Sequence, residues 1–244
     1  MILRALIFDV DGTLADTEEA HRCAFNAAFA EHGLGWQWNQ RLYTALLGVT
    51  GGKERLQSYI ERLDLPEVER ARLHRQVPAL HVSKTRHYAR LMKDGRVTLR
   101  DGIAALLEEA RGAGLMLAIA STTTLTNVDE LLKSVLGRSS EDIFDVVACG
   151  DQVLYKKPAP DIYTLALAQL GIDAAEAVAF EDSAAGLLSA KTDGLCTIVS
   201  PSVWTASHDF ARADCIVRSF DDLFGLRGVR AVHDESHPHR TEAA

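Results

Sequence analysis

LIFDVDGTLADTEEAH, residues 6–21, is the stretch on which the reading of this chain turns. An apolar run stops abruptly at Asp9-Val10-Asp11-Gly12-Thr13. Side chains alternate along a strand, so Asp9 and Asp11 leave it on the same side. Gly12 permits a sharp departure from the sheet edge. Two carboxylates at the carboxyl end of a strand offer hard oxygens suited to Mg²⁺. They can also divide the labour, one as nucleophile and one as proton carrier. An Asp-Gly pair after a strand is an ordinary turn as well, so the motif is weighed together with the rest of the chain.

Working outward, apolar β-branched runs at 3–8, 115–120, 146–149, 177–180, 196–199 and 215–217 alternate with helical patterns at 103–111, 125–136, 161–170 and 184–191. That alternation predicts a Rossmann-like α/β core, a parallel sheet with helices on both faces. One stretch breaks it. Residues 17–92 show only helical periodicity, interrupted by Gly33, Gly51-Gly52, Pro66 and Pro78, and are read as an inserted all-helical cap domain. The expected division is a core of residues 1–15 and 95–225, a cap of 16–94, and a polar tail of 226–244. Histidines 233, 237 and 239 in that tail are read as solvated, because chain ends without an apolar face rarely hold a site together.

Composition bounds the function. The 244 residues are 47% hydrophobic and 25% charged, with a net charge of −8, which argues for a globular protein and against nucleic-acid binding. No apolar run approaches the roughly 18 residues that span a bilayer, and the start at Met1 has no leader architecture. Cys23, Cys149, Cys196 and Cys215 show no metal-ligand spacing and read as packing residues of a reducing compartment. A cytoplasmic monomer is expected, with no membrane or nucleic-acid partner. The insertion holds 12 Lys/Arg against 10 Asp/Glu, while the rest of the chain carries the negative charge. A cationic cap over an acidic core suits an anionic small substrate.

Three further stations fall at strand carboxyl ends, where open α/β sheets place ligands. The strand at 115–120 runs into Ser121-Thr122-Thr123-Thr124, hydroxyls and free amides suited to phosphate or to helix capping. Lys156-Lys157-Pro158 brings a fixed cation ahead of a helix, and 178–180 runs into Glu181-Asp182-Ser183. In the cap, Gly48-Val49-Thr50-Gly51-Gly52-Lys53-Glu54-Arg55 opens a helix with free amides. It is one residue short of a nucleotide P-loop, with Glu54 where Ser or Thr belongs, and no strand precedes it. His81, Lys84 and Tyr88 share one helical face.

With these residues in view, the sequence resembles the haloacid dehalogenase superfamily of phosphotransferases. DxDGT, Ser121, Lys157-Pro158 and Glu181-Asp182 occur in order across the core. The insertion after the first motif resembles the four-helix-cap subgroup, which includes β-phosphoglucomutase and many sugar-phosphate phosphatases. DVDGTLADTEEAHRCAFN, GVTGGKERL, KKPAPDIY and EDSAAGL are similar to the CbbY family encoded in Calvin-cycle operons. That family removes the 1-phosphate of xylulose 1,5-bisphosphate to leave xylulose 5-phosphate.

The resemblance implies Asp9 as nucleophile, forming an aspartyl-phosphate, and Asp11 as the acid that protonates the leaving oxygen and later takes a proton from water. It implies Mg²⁺ bound by Asp9, the Asp11 backbone carbonyl and Asp182, with Glu181 outside the inner ligands. Ser121 and Lys157 would hold the phosphoryl oxygens, with Thr122 and Lys156 as their nearest rivals. A second phosphate would meet Thr50, Gly51, Gly52, Lys53 and Lys84, and Asp16 and His21 would contact sugar hydroxyls. A phosphosugar mutase, a phosphoglycolate-type phosphatase and a non-catalytic Mg²⁺-binding scaffold are the alternatives.

Overall fold

The computed structural model describes residues 2–95 and 97–237. Six parallel strands, β1 (Ala5–Phe8), β2 (Met116–Ser121), β3 (Val146–Cys149), β4 (Ala177–Glu181), β5 (Cys196–Val199) and β6 (Cys215–Ile216), form one sheet in the order β3-β2-β1-β4-β5-β6. The expected α/β core with a helical insertion is present. The chain builds outward from β1 to β3, then returns to place β4 on the other side of β1. That reversal opens the sheet's crevice between the carboxyl ends of β1 and β4.

Both sheet faces are buried, so alternate residues serve different layers. One face is bulky. Leu6, Phe8, Ile119, Val178, Phe180 and Ile198 join Ile103, Leu106 and Leu131 from helices α5 (Ile103–Gly112) and α6 (Leu125–Leu136). Phe8 and Phe180 stack at 4.6 Å directly before the acidic strand ends. The other face is lined by Ala5, Ala118, Ala120, Ala148, Ala177 and Ala179, and it packs on Ile162, Tyr163 and Ala166 of α7 (Asp161–Leu170). Helix α8 (Ala184–Thr192) follows β4.

Helices α1 (Glu18–Glu31), α2 (Gln40–Leu46), α3 (Gly52–Glu61) and α4 (Glu67–Lys93) make the cap. They enclose an apolar cluster of their own around Phe25, Phe29, Trp38 and Tyr43. The insertion joins the core through two adjacent segments tied by an Ala15–Leu99 bridge and by the Arg100 amide, which donates to the Leu14 carbonyl at 2.8 Å. Pro78 does not interrupt the cap as the sequence suggests. Helix α4 runs through it, because packing of Val77, Leu80, His81 and Lys84 holds the segment on either side. No helix among the described residues is long and apolar enough to cross a membrane.

A second expectation is corrected at the chain end. Residues 226–236 are not a solvated tail but helix α9 (Leu226–Ser236). Leu226, Val229 and His233 fall three and four apart and are buried against the bulky face of the core. His233 uses its Nε2 on the Ala175 carbonyl at 2.9 Å, and His239 lies outside the described residues. Val229→Ala should therefore lower unfolding stability by about 2 kcal/mol, the cost of two buried methyl groups and the cavity they leave. Denaturant unfolding checks this, and an unchanged midpoint would return the segment to solvent.

Candidate active site

The carboxyl ends of β1 and β4 set the site. Register pairs Phe8 with Phe180, and the Asp9 amide donates to the Phe180 carbonyl at 3.0 Å, so Asp9 and Glu181-Asp182 leave neighbouring strands side by side. One oxygen each from Asp9, Glu181 and Asp182 lies within 4.8 Å of the others, all three residues being buried. Glycine is required twice. Gly12 has φ +86°, and a Cβ there would lie 2.2 Å from Asp182 Oδ2. A Cβ on Gly186 would overlap the Glu181 carboxylate at 1.9 Å.

One cation joins this cluster from the core. Lys157 Nζ donates to Asp9 Oδ1 at 2.7 Å and to Glu181 Oε1 at 2.6 Å. Lys156 points away and donates to the carbonyls of Gly150 and Val153. The Tyr163 hydroxyl donates to Glu181 Oε1 at 2.7 Å, while Glu181 Oε2 has no partner among the described residues. Ser121 is 1% exposed and its Oγ accepts the Thr123 amide at 3.2 Å, whereas Thr124 caps α6. Thr122 also lines the cavity.

The cluster is electrostatically unbalanced. Burial pushes Asp9 up to about 7 even with the Lys157 ammonium beside it. Burial, with Asp9 and Glu181 nearby, raises Asp182 well above the carboxylate range. For Lys157 burial favours the neutral amine, but Asp9 and Glu181 outweigh it and keep the ammonium. Asp11 behaves oppositely. Burial would raise it, but His21, Thr17 and Lys84 more than offset that and hold it below the usual range.

That difference comes from the cap hinge. The Thr17 hydroxyl donates to Asp11 Oδ1 at 2.5 Å, and His21 Nε2 lies 2.8 Å from the same oxygen. Behind His21, Lys84 Nζ sits 2.6 Å from Nδ1 and over the Tyr88 ring, which itself stacks on the imidazole at 4.2 Å. An ammonium donating to Nδ1 leaves the single imidazole proton on Nε2, facing Asp11. Burial lowers Lys84 to about 8 and His81 to about 3.

Thr50, Gly51, Gly52, Lys53 and Lys84 all line the same cavity as Asp9, Asp11, His21, Ser121, Lys157 and Asp182. The Thr50 hydroxyl is committed to the Lys157 carbonyl, and Lys53 Nζ to Asp151 Oδ2 at 2.5 Å, so this cap loop is docked on the core. Gly52 leaves room for His81, whose Nε2 would lie 2.7 Å from a Cβ. Asp16 is a correction. It is exposed and lies outside the cavity, 3.9 Å from Arg100 Nε, because the hinge turns it outward before α1 begins. Glu18, two residues on, faces the cavity instead, with Arg55, Asp151, Asn127, Thr205 and His208. Arg55 stands within the glycine-rich cap segment, so its position was visible. Glu18 stands within the opening stretch 6–21, while Asp151, Asn127, Thr205 and His208 approach through long-range packing.

Residues 6–200 match the family model for haloacid dehalogenase-like hydrolases. The chain belongs to that family. CbbY of Rhodobacter capsulatus is 48% identical over 214 residues, 88% of this chain and 92% of the relative. The crystal structure of CbbY from Rhodobacter sphaeroides in complex with phosphate has a TM-score of 0.87 at 45% identity, covering 94% of this chain and 100% of that one. A mutant of that protein in complex with xylulose-(1,5)bisphosphate gives 0.86 at 45% identity, over 93% and 99%. This hydrolase is thus a CbbY-like member of the haloacid dehalogenase family.

Asp182→Asn removes one of the three crowded, buried carboxyl groups. The metal-free variant should melt higher than wild type, while the rise in melting temperature on adding Mg²⁺ should shrink or vanish, since a ligand stabilises only through the state that binds it. A wild-type Mg²⁺ shift in the variant would mean that Asp182 does not hold Mg²⁺.

Proposed function

We propose that this hydrolase is a Mg²⁺-dependent phosphatase of sugar bisphosphates, converting xylulose 1,5-bisphosphate to xylulose 5-phosphate and phosphate. The observation that carries the proposal is a single cavity with two unlike ends. Asp9, Asp11, Ser121 and Lys157 meet at the sheet end, and Lys53, Arg55 and Lys84 line the cap wall. Each end thus offers cationic side chains to one phosphate. The likeness to a CbbY that holds this bisphosphate supports the choice of substrate.

Asp9 attacks phosphorus in line. A carboxylate–phosphorus bond forms and the bond to the sugar oxygen breaks, with Asp11 giving that oxygen its proton. Water then attacks the aspartyl-phosphate, passes a proton to Asp11, and regenerates Asp9 with release of phosphate. His21 and Thr17 hold Asp11 as the carboxylate that takes the second proton. Arrival of a phosphate anion beside it raises its proton affinity for the first step. Ser121 and the Lys157 ammonium face the transferring oxygens, where each preorganised donor is worth roughly 10²–10³ in rate. Three buried carboxylates against one lysine fit a hard divalent cation. Mg²⁺, held by Asp9, the Asp11 backbone carbonyl and Asp182 with Glu181 outside them, would supply Lewis-acid charge at the phosphoryl group.

A phosphate-release panel with and without Mg²⁺ tests the reaction, using xylulose 1,5-bisphosphate, ribulose 1,5-bisphosphate, phosphoglycolate and β-glucose 1-phosphate. The first should be the best substrate, and only with metal. Isomerisation of β-glucose 1-phosphate without phosphate release would make the enzyme a mutase. Asp9→Asn should fold normally and release no phosphate from any of the four, and near-normal turnover would end the aspartyl-phosphate route.

The cap lysines should separate by their partners. Lys53→Ala should cut kcat/KM for the bisphosphate about 10- to 100-fold, the worth of a charge-assisted phosphate contact, while sparing p-nitrophenyl phosphate. Lys84→Ala should slow both, because it also frees His21 beside Asp11. Activity should show an alkaline limb near pH 8, where Lys84 loses the proton it donates to His21. A pH profile of kcat/KM in wild type and Lys84→Ala reads this, and the same limb in the variant would assign it elsewhere.

A further inference from the structure

Trp204 stands in the core sequence, between β5 and β6, yet it belongs to the cap's packing. Among the described residues it is the only hydrophobic one from outside 16–94 that packs against the cap's apolar cluster. Its indole meets the Tyr43 ring edge-on, with centroids 5.6 Å apart and planes at 87°. Tyr43 is fully buried, donates its hydroxyl to Glu18 Oε2 at 2.7 Å and accepts from Arg55 at 2.9 Å. Glu18 and Arg55 both face the cavity. The next residue points the other way. Thr205 is 4% exposed, its hydroxyl donates to Asp182 Oδ2 at 3.2 Å, and its oxygen accepts the Ser202 amide at 2.9 Å.

We propose that Trp204 and Thr205 are positioning residues that register the sugar-facing cap wall against the metal-binding carboxylates. The proposal rests on the phosphatase reading above. The cap is joined to the core covalently only at the paired hinge segments near Ala15 and Leu99. A body held at one edge pivots, and contacts away from the hinge fix its angle, the docked loop with Thr50 and Lys53 in one place and Trp204 in another. The Trp204–Tyr43 contact lies on α2, apart from that hinge, and Tyr43 carries Glu18 and Arg55 with it. Thr205 sets Asp182 from the same piece of backbone. The far end of a sugar phosphate and its reacting phosphorus are thereby referenced to one dipeptide. Misplacement of a substrate by about 1 Å costs on the order of 10²-fold in rate, so such registration has a catalytic consequence without touching the reacting atoms.

Three variants test it, each first checked for wild-type circular dichroism. Trp204→Ala should lower kcat/KM for xylulose 1,5-bisphosphate about 3- to 10-fold, the worth of one edge-to-face aromatic contact, and leave p-nitrophenyl phosphate turnover unchanged. Trp204→Phe, which keeps an aromatic edge, should restore most of the loss. Thr205→Val, equal in volume but without the hydroxyl, should raise the Mg²⁺ concentration that half-protects against thermal melting about 10-fold, as loss of a partner to a metal ligand does. This melt is read without substrate. Equal losses on both esters in Trp204→Ala, or a wild-type Mg²⁺ dependence in Thr205→Val, would overturn the positioning claim. If the wild type hydrolyses neither ester, the phosphatase reading fails, and the Thr205→Val melt alone still decides whether this loop sets Asp182.

Discussion

The Lys157 ammonium, buried between Asp9 and Glu181, is the interaction on which the rest of this structure depends. Taking an ion out of water costs several kcal/mol after relaxation, and the cost returns only where partners are close and well oriented. Here one cation faces Asp9 and Glu181 directly, with Asp182 alongside, so the site is held together yet left with a surplus of negative charge. That surplus is the chemical opportunity. In the proposed phosphatase it would draw a divalent cation, and with it a phosphate, to the place where a carboxylate is already aimed.

Such a cluster persists only if the scaffold cannot relax away from it. The bulky face supplies that stiffness, with Phe8 and Phe180 stacked immediately before the acidic strand ends. The opposite face works by being small. Its alanines bring α7 near enough for Tyr163 to reach Glu181. Gly12 and Gly186 let backbone lie where any side chain would collide with Asp182 or Glu181. Packing on both faces therefore serves the position of three carboxylates.

How far the sequence discloses this depends on the range of the interactions. Strands and core helices carry periods of two and 3.6 within a few residues, so the alternating core and the helical insertion are readable from the chain alone. The terminal helix is not, because Leu226, Val229 and His233 are a thin apolar stripe among charged residues, and their burial depends on the distant surface they meet. Pro78 misleads for the converse reason: a local breaker is outweighed by the packing of α4. Asp16 fails because a hinge turns, and one residue decides which side chain faces inward.

Interaction range also separates the two halves of the cavity. At the sheet end, each acidic group follows its own strand directly, so a short motif states both its identity and its place. On the cap wall, function is assembled from residues far apart in the chain: His21 with Lys84, Lys53 with Asp151, Tyr43 with Trp204. None of these pairs has a spacing signature. The first joins two cap helices, and the other two cross from cap to core. The general phosphate chemistry can thus be written locally in β1 and β4, whereas the choice of what carries the phosphate depends on how two separately packed bodies meet. Substitutions on the cap wall can accordingly act on the far end of the substrate while the Lys157–Asp9 ion pair, made by two core side chains, stays in place.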